Sequence, residues 1–408
     1  MAREQVDIFI AGGGIAGLVA AAAFGYAGFS VLLADPAPPV TDPGDEGSDL
    51  RSTAFLQPAR DLLDRIGLWA DLRARATPLD ALRIVDTHGW PPEIQDTRVF
   101  EASELGDDPF GWNLPNWQTR AIVLDHLQRQ PNVELTFGTG FGGLLDRTGQ
   151  AIVTLTDGRQ IGAKLVIGAD GRASAVREAV GIDVKTKRYG QKALAFSVTH
   201  ALPHGNISTE IYNQGGAFTT VPLPDHQGIP ASAIVWMNDG TRALALAAMP
   251  PDAFAAELNA RSCGLLGPMQ LATTRRVWPI VTQRALRLAA GRAALIAEAA
   301  HVLPPIGAQG LNTSLHDVAA LLDLAMAASG DPGNAATLAR YEKARSRDIA
   351  VRARAIDAFN RICKSGAAPV QALRGLGLRT VYDLSPVRQG IMRAGLGAPP
   401  PRRADQRS

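Results

Sequence analysis

Three widely separated stretches of the chain carry residue types and spacings suited to holding a polar cofactor against backbone amides. From Ala294 to Asp317 runs ALIAEAAHVLPPIGAQGLNTSLHD, which reads as an apolar strand, an acid, a Pro-Pro turn and a glycine-broken turn opening a helix. The free N–H groups at the start of such a helix attract negative charge. Near the N-terminus, Gly12-x-Gly14-x-x-Gly17 follows an apolar run, precedes a small-residue helix containing Ala16, and is followed by Asp35 at the end of a second apolar run. The glycines permit a tight turn, close approach of a pyrophosphate to the backbone and close packing of helix on strand, and the acid is placed to take a ribose hydroxyl. The third stretch, GADGRASAVR from Gly168 to Arg177, sets Asp170 and Gly171 at another strand end.

The elements that must position these turns follow from hydrophobic patterning. Val6–Ala11 and Ser30–Ala34 are expected as strands around a helix at Ile15–Tyr26, a β-turn-α-β unit. The Pro-, Gly- and Asp-rich stretch 36–48 reads as a loop, and Ser52–Leu72 as helical through Leu62, Leu63, Ile66 and Leu68. A helix is expected at Arg120–Gln130, with strands at Val133–Phe137, Ala151–Thr156 and Lys164–Gly168. Between about Ala193 and Ala248, TEIY, AFTTVPL, ASAIVW and ALALAAM suggest an antiparallel sheet inserted into the first domain. From about Ala335 onward, Leu338, Tyr341, Ile349, Ile356, Phe359 and Ile362 recur at roughly helical spacing.

Bulk properties narrow the function classes. The 408 residues are 46% hydrophobic, enough for more than one domain, and the formal net charge of +2 argues against a general nucleic-acid surface. Charge is uneven: 15 Lys/Arg stand against 5 Asp/Glu from Arg340 onward, leaving −8 on the rest. Cys263 and Cys363 show neither zinc-ligand nor disulfide-framework spacing, and no metal is called for. No stretch reads as a membrane span or signal peptide, so a cytoplasmic protein is expected, with peripheral contact at the inner membrane open.

With these motifs in hand, the chain resembles the aromatic-ring hydroxylases of flavoprotein monooxygenase class A. Their GxGxxG and Asp-Gly motifs match Gly12, Gly14, Gly17 and Asp170, Gly171, while the late Gly-Asp motif is met here by Ala297-Glu298. DLRSTAF, with Asp49 and Arg51, and TRAIVLDHL, with Arg120, resemble two further segments whose arginines lie by the flavin, and Asn116 and Gln118 are weaker candidates. The wording AAHVLPPIGAQGLNTSLHDVAAL, GGAFTTVPLP, YEKARSRD and SPVRQGIMRAGLG is similar to the ubiquinone-biosynthesis hydroxylases. The likeness runs over nearly the whole chain.

That resemblance implies an α/β fold: a Rossmann-like, three-layer FAD-binding domain with an inserted antiparallel-sheet substrate domain and a C-terminal helical segment. The division expected is 1–80, 116–182 and 284–330 for FAD, 81–115 and 183–283 for substrate, and 331–408 for the helical segment. It implies FAD as cofactor, NAD(P)H or another electron donor as cosubstrate, and O₂. The substrate implied is a polyprenylated phenol hydroxylated in ubiquinone biosynthesis through a flavin C4a-hydroperoxide, with a ubiquinone-biosynthesis protein complex as a candidate partner. The turn at Pro305, Gly307, Gly310, Leu311 and Asn312 would face the flavin ring, and Glu298 the ribityl chain or phosphate. His301 is a candidate for acid-base work or for a structural hydrogen bond; His126 and His316 read as helix-surface residues. Trp112, Trp117, Trp236 and Trp278 read as core or domain-interface aromatics. Two other readings stay open: a hydroxylase of another small aromatic compound, and a flavin-binding assembly component without hydroxylation activity. No HExxH, GxSxG or WxWxIP segment suggests metal, serine-nucleophile or halogenase chemistry.

Overall fold

A computed structural model describes residues 3–364 and 382–396. The expected C-terminal helical segment falls partly outside the described residues. Within them, a helix of 30 residues runs Ala335–Lys364 and a second runs Ser385–Leu396.

The N-terminal sheet is eight-stranded, and parallel at its centre. Glu4–Ala11 lies between Val31–Asp35 and Gln160–Gly168, with Val133–Phe137 and Ala293–Leu295 outside them, all parallel. Apolar runs such as Ile8–Ala11 and Val31–Ala34 are continuous rather than alternating because both sheet faces are covered. The helix Ile15–Tyr26 is buried along nearly its whole length, against the helices Asn116–Leu127 and Gln309–Met326. Its alanines and glycines allow that crowding.

The second sheet has nine strands. Val184–His200, Ile207–Asn213, Gly216–His226, Ile229–Asp239 and Arg276–Ala285 form its body, and Ala81–His88 with Glu93–Glu101 extend its edge. It is antiparallel except where Ile207–Asn213 runs parallel to Ala81–His88. A three-stranded sheet, Ser52–Leu56, Gly111–Pro115 and Thr77–Leu79, is tied to the large sheet by Asn113 Nδ2 donating to the Pro222 carbonyl at 2.8 Å.

Several local expectations are corrected. Ser52–Leu56 is a strand; the helical spacing belongs only to Gln57–Arg65 and Trp69–Arg73, which follow it. The helix expected at Arg120–Gln130 starts at Asn116 and ends at Leu127. ALALAAM forms the helix Gly240–Ala248, because an apolar run without alternation suits a helix lying on the sheet.

A buried carboxylate joins the late segments. Asp317, fully buried, accepts from His301 Nε2 at 2.6 Å and Arg345 Nε at 2.8 Å, and from the Ala297 N–H at 3.3 Å. Burial alone would raise its pKa, but His301 and then Arg345 outweigh it and hold the carboxyl below its ordinary range. Replacing Asp317 by Asn should leave Arg345 with Asp348, at 2.7 Å, as its remaining carboxylate partner and lower stability by about 1–3 kcal/mol, read from urea unfolding of the ligand-free chain. A smaller loss than about 1 kcal/mol would show the ion pair to be dispensable.

His316 and His126 are partly buried rather than on the helix surface. Burial, then Arg345 and Arg352, push the His316 imidazole down to about 4. A histidine depressed in the folded state binds its proton more readily when unfolded, so stability present above pH 6.5 is lost as pH falls toward about 4. His316→Gln should flatten that part of the stability–pH curve; an unchanged curve would remove His316 as its source.

Candidate flavin site and what it resembles

The site is built by register. Ala11 pairs level with both Ala34 and Gly168, and Gly168 with Leu295, so four parallel strands end on one line. The residues that follow those ends are Asp35, Gly12, Asp170 and the Ala297 turn, all placed at the carboxyl edge where open α/β sheets bind ligands.

At this edge each glycine of the first motif has its own role. Gly12 has φ +111°, and a Cβ there would strike the Ala169 carbonyl, so the first turn lies directly against the second. A Cβ on Gly17 would strike the Gly12 carbonyl, fixing helix against turn. Gly14, the N-cap of its helix, has nothing within 4 Å of a Cβ position and therefore faces open space. Ala16 lies in the first helical turn and is 8% exposed. Asp35 accepts from the Gly13 N–H at 2.6 Å and the Ala37 N–H at 2.9 Å, one bond per oxygen, with lone pairs to spare.

In the second turn, Asp170 Oδ2 accepts from the Val176 N–H at 3.0 Å, whereas Oδ1 is buried with no partner among the described residues. Gly171 has φ +80°. Arg177 clamps the second turn to the third, donating to the carbonyls of Arg172 and Ala299 at 2.9 Å each.

The basic residues converge through the pairing of Ser52–Leu56 with Gly111–Pro115, which sets Arg51 beside the helix start at Asn116. The Asn116 N–H donates to the Arg51 carbonyl at 2.8 Å. Asp49, 7% exposed, takes both Nε and an Nη of Arg51 at 2.8 Å and Asn116 Nδ2 at 2.8 Å, with Arg120 3.8 Å away. Burial disfavours the Arg51 charge, but Asp49, and further off Glu298, restore it and raise its pKa; burial and then Arg51 lower that of Arg120 against the pull of Asp49 and Asp35. Arg120 Nε and Ser48 Oγ are buried without partners among the described residues. Gln118 is half-buried and joins none of these bonds. Trp278, expected in a core or interface, is 37% exposed and lies under Arg51, 4.3 Å from ring centroid to guanidinium; Trp112 and Trp236 are buried, and Trp117 is half-buried.

The third turn departs most from expectation. Glu298 is exposed and makes no hydrogen bond or ion pair among the described residues. Ala297 sits at φ +54°, a left-handed conformation natural to glycine and costly for alanine. His301, a candidate acid-base group, is 3% exposed and engaged with Asp317, so it positions the turn rather than facing the edge. Pro305, Gly307 (φ +60°) and Gly310 are exposed, and Leu311 is half-buried. The Asn312 side chain is fully committed: Nδ2 donates to the carbonyls of Ala54 and Ala308 at 2.7 Å, and Oδ1 accepts from the Leu56 N–H at 2.9 Å. Its expected cofactor contact is thereby reduced to its backbone.

Two residues beyond the sequence candidates line a narrow cavity of about 10 Å³ between the large sheet and Pro305-Ile306. Glu210 and Tyr212 project from one strand, and the Tyr212 hydroxyl donates to the Glu210 carboxyl. Burial raises the Glu210 pKa against that hydrogen bond. Their alternation within TEIY was the available signal.

With this geometry in place, comparison with known proteins is informative. Residues 5–355 match the FAD binding domain family, and the chain belongs to it. It is 34% identical to the ubiquinone hydroxylase UbiL of Rhodospirillum rubrum, covering 97% of this chain and 90% of that protein. It is 27% identical to the 3-demethoxyubiquinol 3-hydroxylase of Escherichia coli, covering 97% and 100%. In fold it is similar to p-nitrophenol 4-monooxygenase PnpA of Pseudomonas putida, with a TM-score of 0.79, 20% identity, and coverage of 97% and 100%.

The edge fits FAD on its own evidence: open space at Gly14, a buried Asp170 oxygen without a partner among the described residues, and a left-handed glycine turn opening a helix. Gly14→Val should fold normally yet retain little flavin, whereas Gly17→Val should lose stability even without flavin. Equal flavin content in wild type and Gly14→Val would displace the pyrophosphate from this turn. Ala297→Gly should gain up to about 1 kcal/mol by relieving the left-handed alanine, seen as a higher melting temperature.

Proposed function

We propose that the protein is an FAD-dependent monooxygenase that hydroxylates the aromatic ring of a polyprenylated phenol in ubiquinone biosynthesis. The observation carrying this reading is the 34% identity to ubiquinone hydroxylase UbiL across 97% of the chain, including both the flavin edge and the large sheet. In this reading the amides of the Gly12–Gly14 turn and the following helix start hold the pyrophosphate, and Asp35 the ribose. Backbone N–H groups at 309–312 support the flavin ring edge. Reduced FAD, when bound, supplies the oxygen activation.

The chain must then orient the phenol and exclude water. The cavity beside Pro305 and Ile306 has an apolar sheet wall at Ala217 and Met237, and Glu210 is its carboxyl. A ring enters only by displacing lining side chains, since the free space is water-sized. Glu210 accepts the phenol O–H proton, which leaves the electron pair on the ring oxygen and makes the ring carbons more nucleophilic; Tyr212 holds the carboxyl in place. Among the described residues, no helix is long and apolar enough to cross a membrane.

With purified holoprotein, a chemical reductant, a polyprenylated phenol and ¹⁸O₂, mass spectrometry should find one labelled oxygen in the product. An unlabelled or unchanged phenol would sink the hydroxylation reading. Glu210→Gln should slow product formation about 100-fold with flavin content unchanged; a wild-type rate would remove Glu210 from proton transfer.

A further inference from the structure

The last turns of the helix Ala335–Lys364 line the cavity beside Pro305 and Ile306, and they bring one polar residue with them. The sheet side of that cavity is built by register. Glu210 pairs with Thr219 and Tyr212 with Ala217, so the two strands turn these side chains to one face. Phe359 and Cys363 pack on it in an apolar cluster with Tyr212, Ala217 and Met237, and the Phe359 ring meets the Tyr212 ring edge-on at 5.8 Å between centroids. Asn360, between them on the helix, lines the cavity and is 1% exposed. A polar side chain in such surroundings is costly unless it is hydrogen-bonded.

The chain meets only half of that requirement. Asn360 Nδ2 donates to Gln191 Oε1 at 3.0 Å, and Gln191 Nε2 donates to the Gly215 carbonyl at 2.8 Å. Because a carbonyl can only accept, Gln191 must turn its NH₂ to Gly215 and its oxygen to Asn360, and Asn360 must in turn give its NH₂ to Gln191. The relay thereby fixes Asn360 Oδ1 as an acceptor, and that oxygen is buried with no partner among the described residues. The same cavity holds a second acceptor, the Glu210 carboxyl. We propose that Asn360 is a specificity-determining residue whose Oδ1 accepts a hydrogen bond from a second hydroxyl of the aromatic ring, with Gln191 as the positioning residue that orients it. This role rests on the proposed function, in which the ring enters this cavity with one hydroxyl at Glu210, and it narrows the substrate class to dihydroxylated rings. A ring with one hydroxyl leaves the Asn360 oxygen unpaired, and a quinone sets carbonyl oxygen against amide oxygen.

Anaerobic titration calorimetry of the oxidised holoprotein tests it, with a short-chain prenylated catechol and a prenylated hydroquinone, each beside the prenylated phenol that lacks the second hydroxyl. Wild type should bind one of the diols about tenfold more tightly than its monophenol, the effect of one neutral hydrogen bond. Asn360→Leu, close to asparagine in volume, should bring that ratio near one by weakening the diol alone, with flavin content unchanged. Asn360→Asp, which keeps an acceptor at the position, should preserve the preference. Gln191→Leu, which unties the relay, should lower the ratio while monophenol affinity stays at the wild-type value. A wild-type ratio near one overturns the proposal without any variant, as does a ratio unchanged in both Asn360→Leu and Gln191→Leu. Labelling with ¹⁸O₂ separates this result from the reaction itself: a preference without labelled product keeps the role of Asn360 and removes hydroxylation, whereas labelled product with equal affinities removes the role of Asn360 alone.

Discussion

Everything functional in this chain depends on strands that stop level with one another. Because Ala34, Ala11, Gly168 and Leu295 share a line across the sheet, segments separated by more than a hundred residues open onto one edge. A slip of one residue in any pairing would turn a strand's side chains to the other face and withdraw its turn from that edge. The glycines then decide how close those turns come. Gly12 and Gly17 are required by protein atoms that crowd them, while Gly14 is left with empty space in front of it. The same motif therefore holds two packing glycines and one facing the site.

The third turn is not held by register alone. Its strand is three residues long, and its next residues include an alanine in a left-handed conformation, so something else must fix it. Asp317 does so from inside the helix Gln309–Met326, reaching the Ala297 N–H and His301 on one side and Arg345 on the other. A buried carboxylate is costly unless its charge is met, and here three hydrogen-bond donors, one of them the Arg345 guanidinium, meet it. Arg352 extends the link by donating to Gln309 Oε1 at 2.8 Å, at the first residue of the helix that opens toward the site. The long helix Ala335–Lys364 is thus coupled to the geometry of the candidate site rather than being an appendage.

What could be read from the sequence was what lies close along the chain. The helix Ile15–Tyr26 and the strand Val133–Phe137 follow from local apolar runs and turn glycines. The strand Ser52–Leu56 was hidden because its partner is Gly111–Pro115, more than fifty residues away, while the helical spacing just after it dominated the window. Asn312 looked like a cofactor ligand by its place at a helix start; its carbonyl and amide partners come from Ala54 and Leu56, which no spacing reveals. His301 and Asp317 were both in plain view, sixteen residues apart, yet their 2.6 Å contact depends on how a short turn and a long helix pack. Glu210 had only the alternation of a strand to mark it.

The substitution of Ala297-Glu298 for the Gly-Asp pair of the resembled hydroxylases changes meaning once both residues are considered together. Taken from sequence, the acid was the concern, since an added methylene alters a carboxylate's reach. In the structure the backbone is the more strained partner: Ala297 occupies a glycine conformation with its N–H held by Asp317. Glu298 is exposed and makes no hydrogen bond or ion pair among the described residues, so its longer side chain can adapt to what lies at the edge. The cost of the departure therefore falls on the folding of the turn, where Asp317 compensates, rather than on the charge it presents. A carboxylate remains at the edge near Arg51, whose own charge it supports.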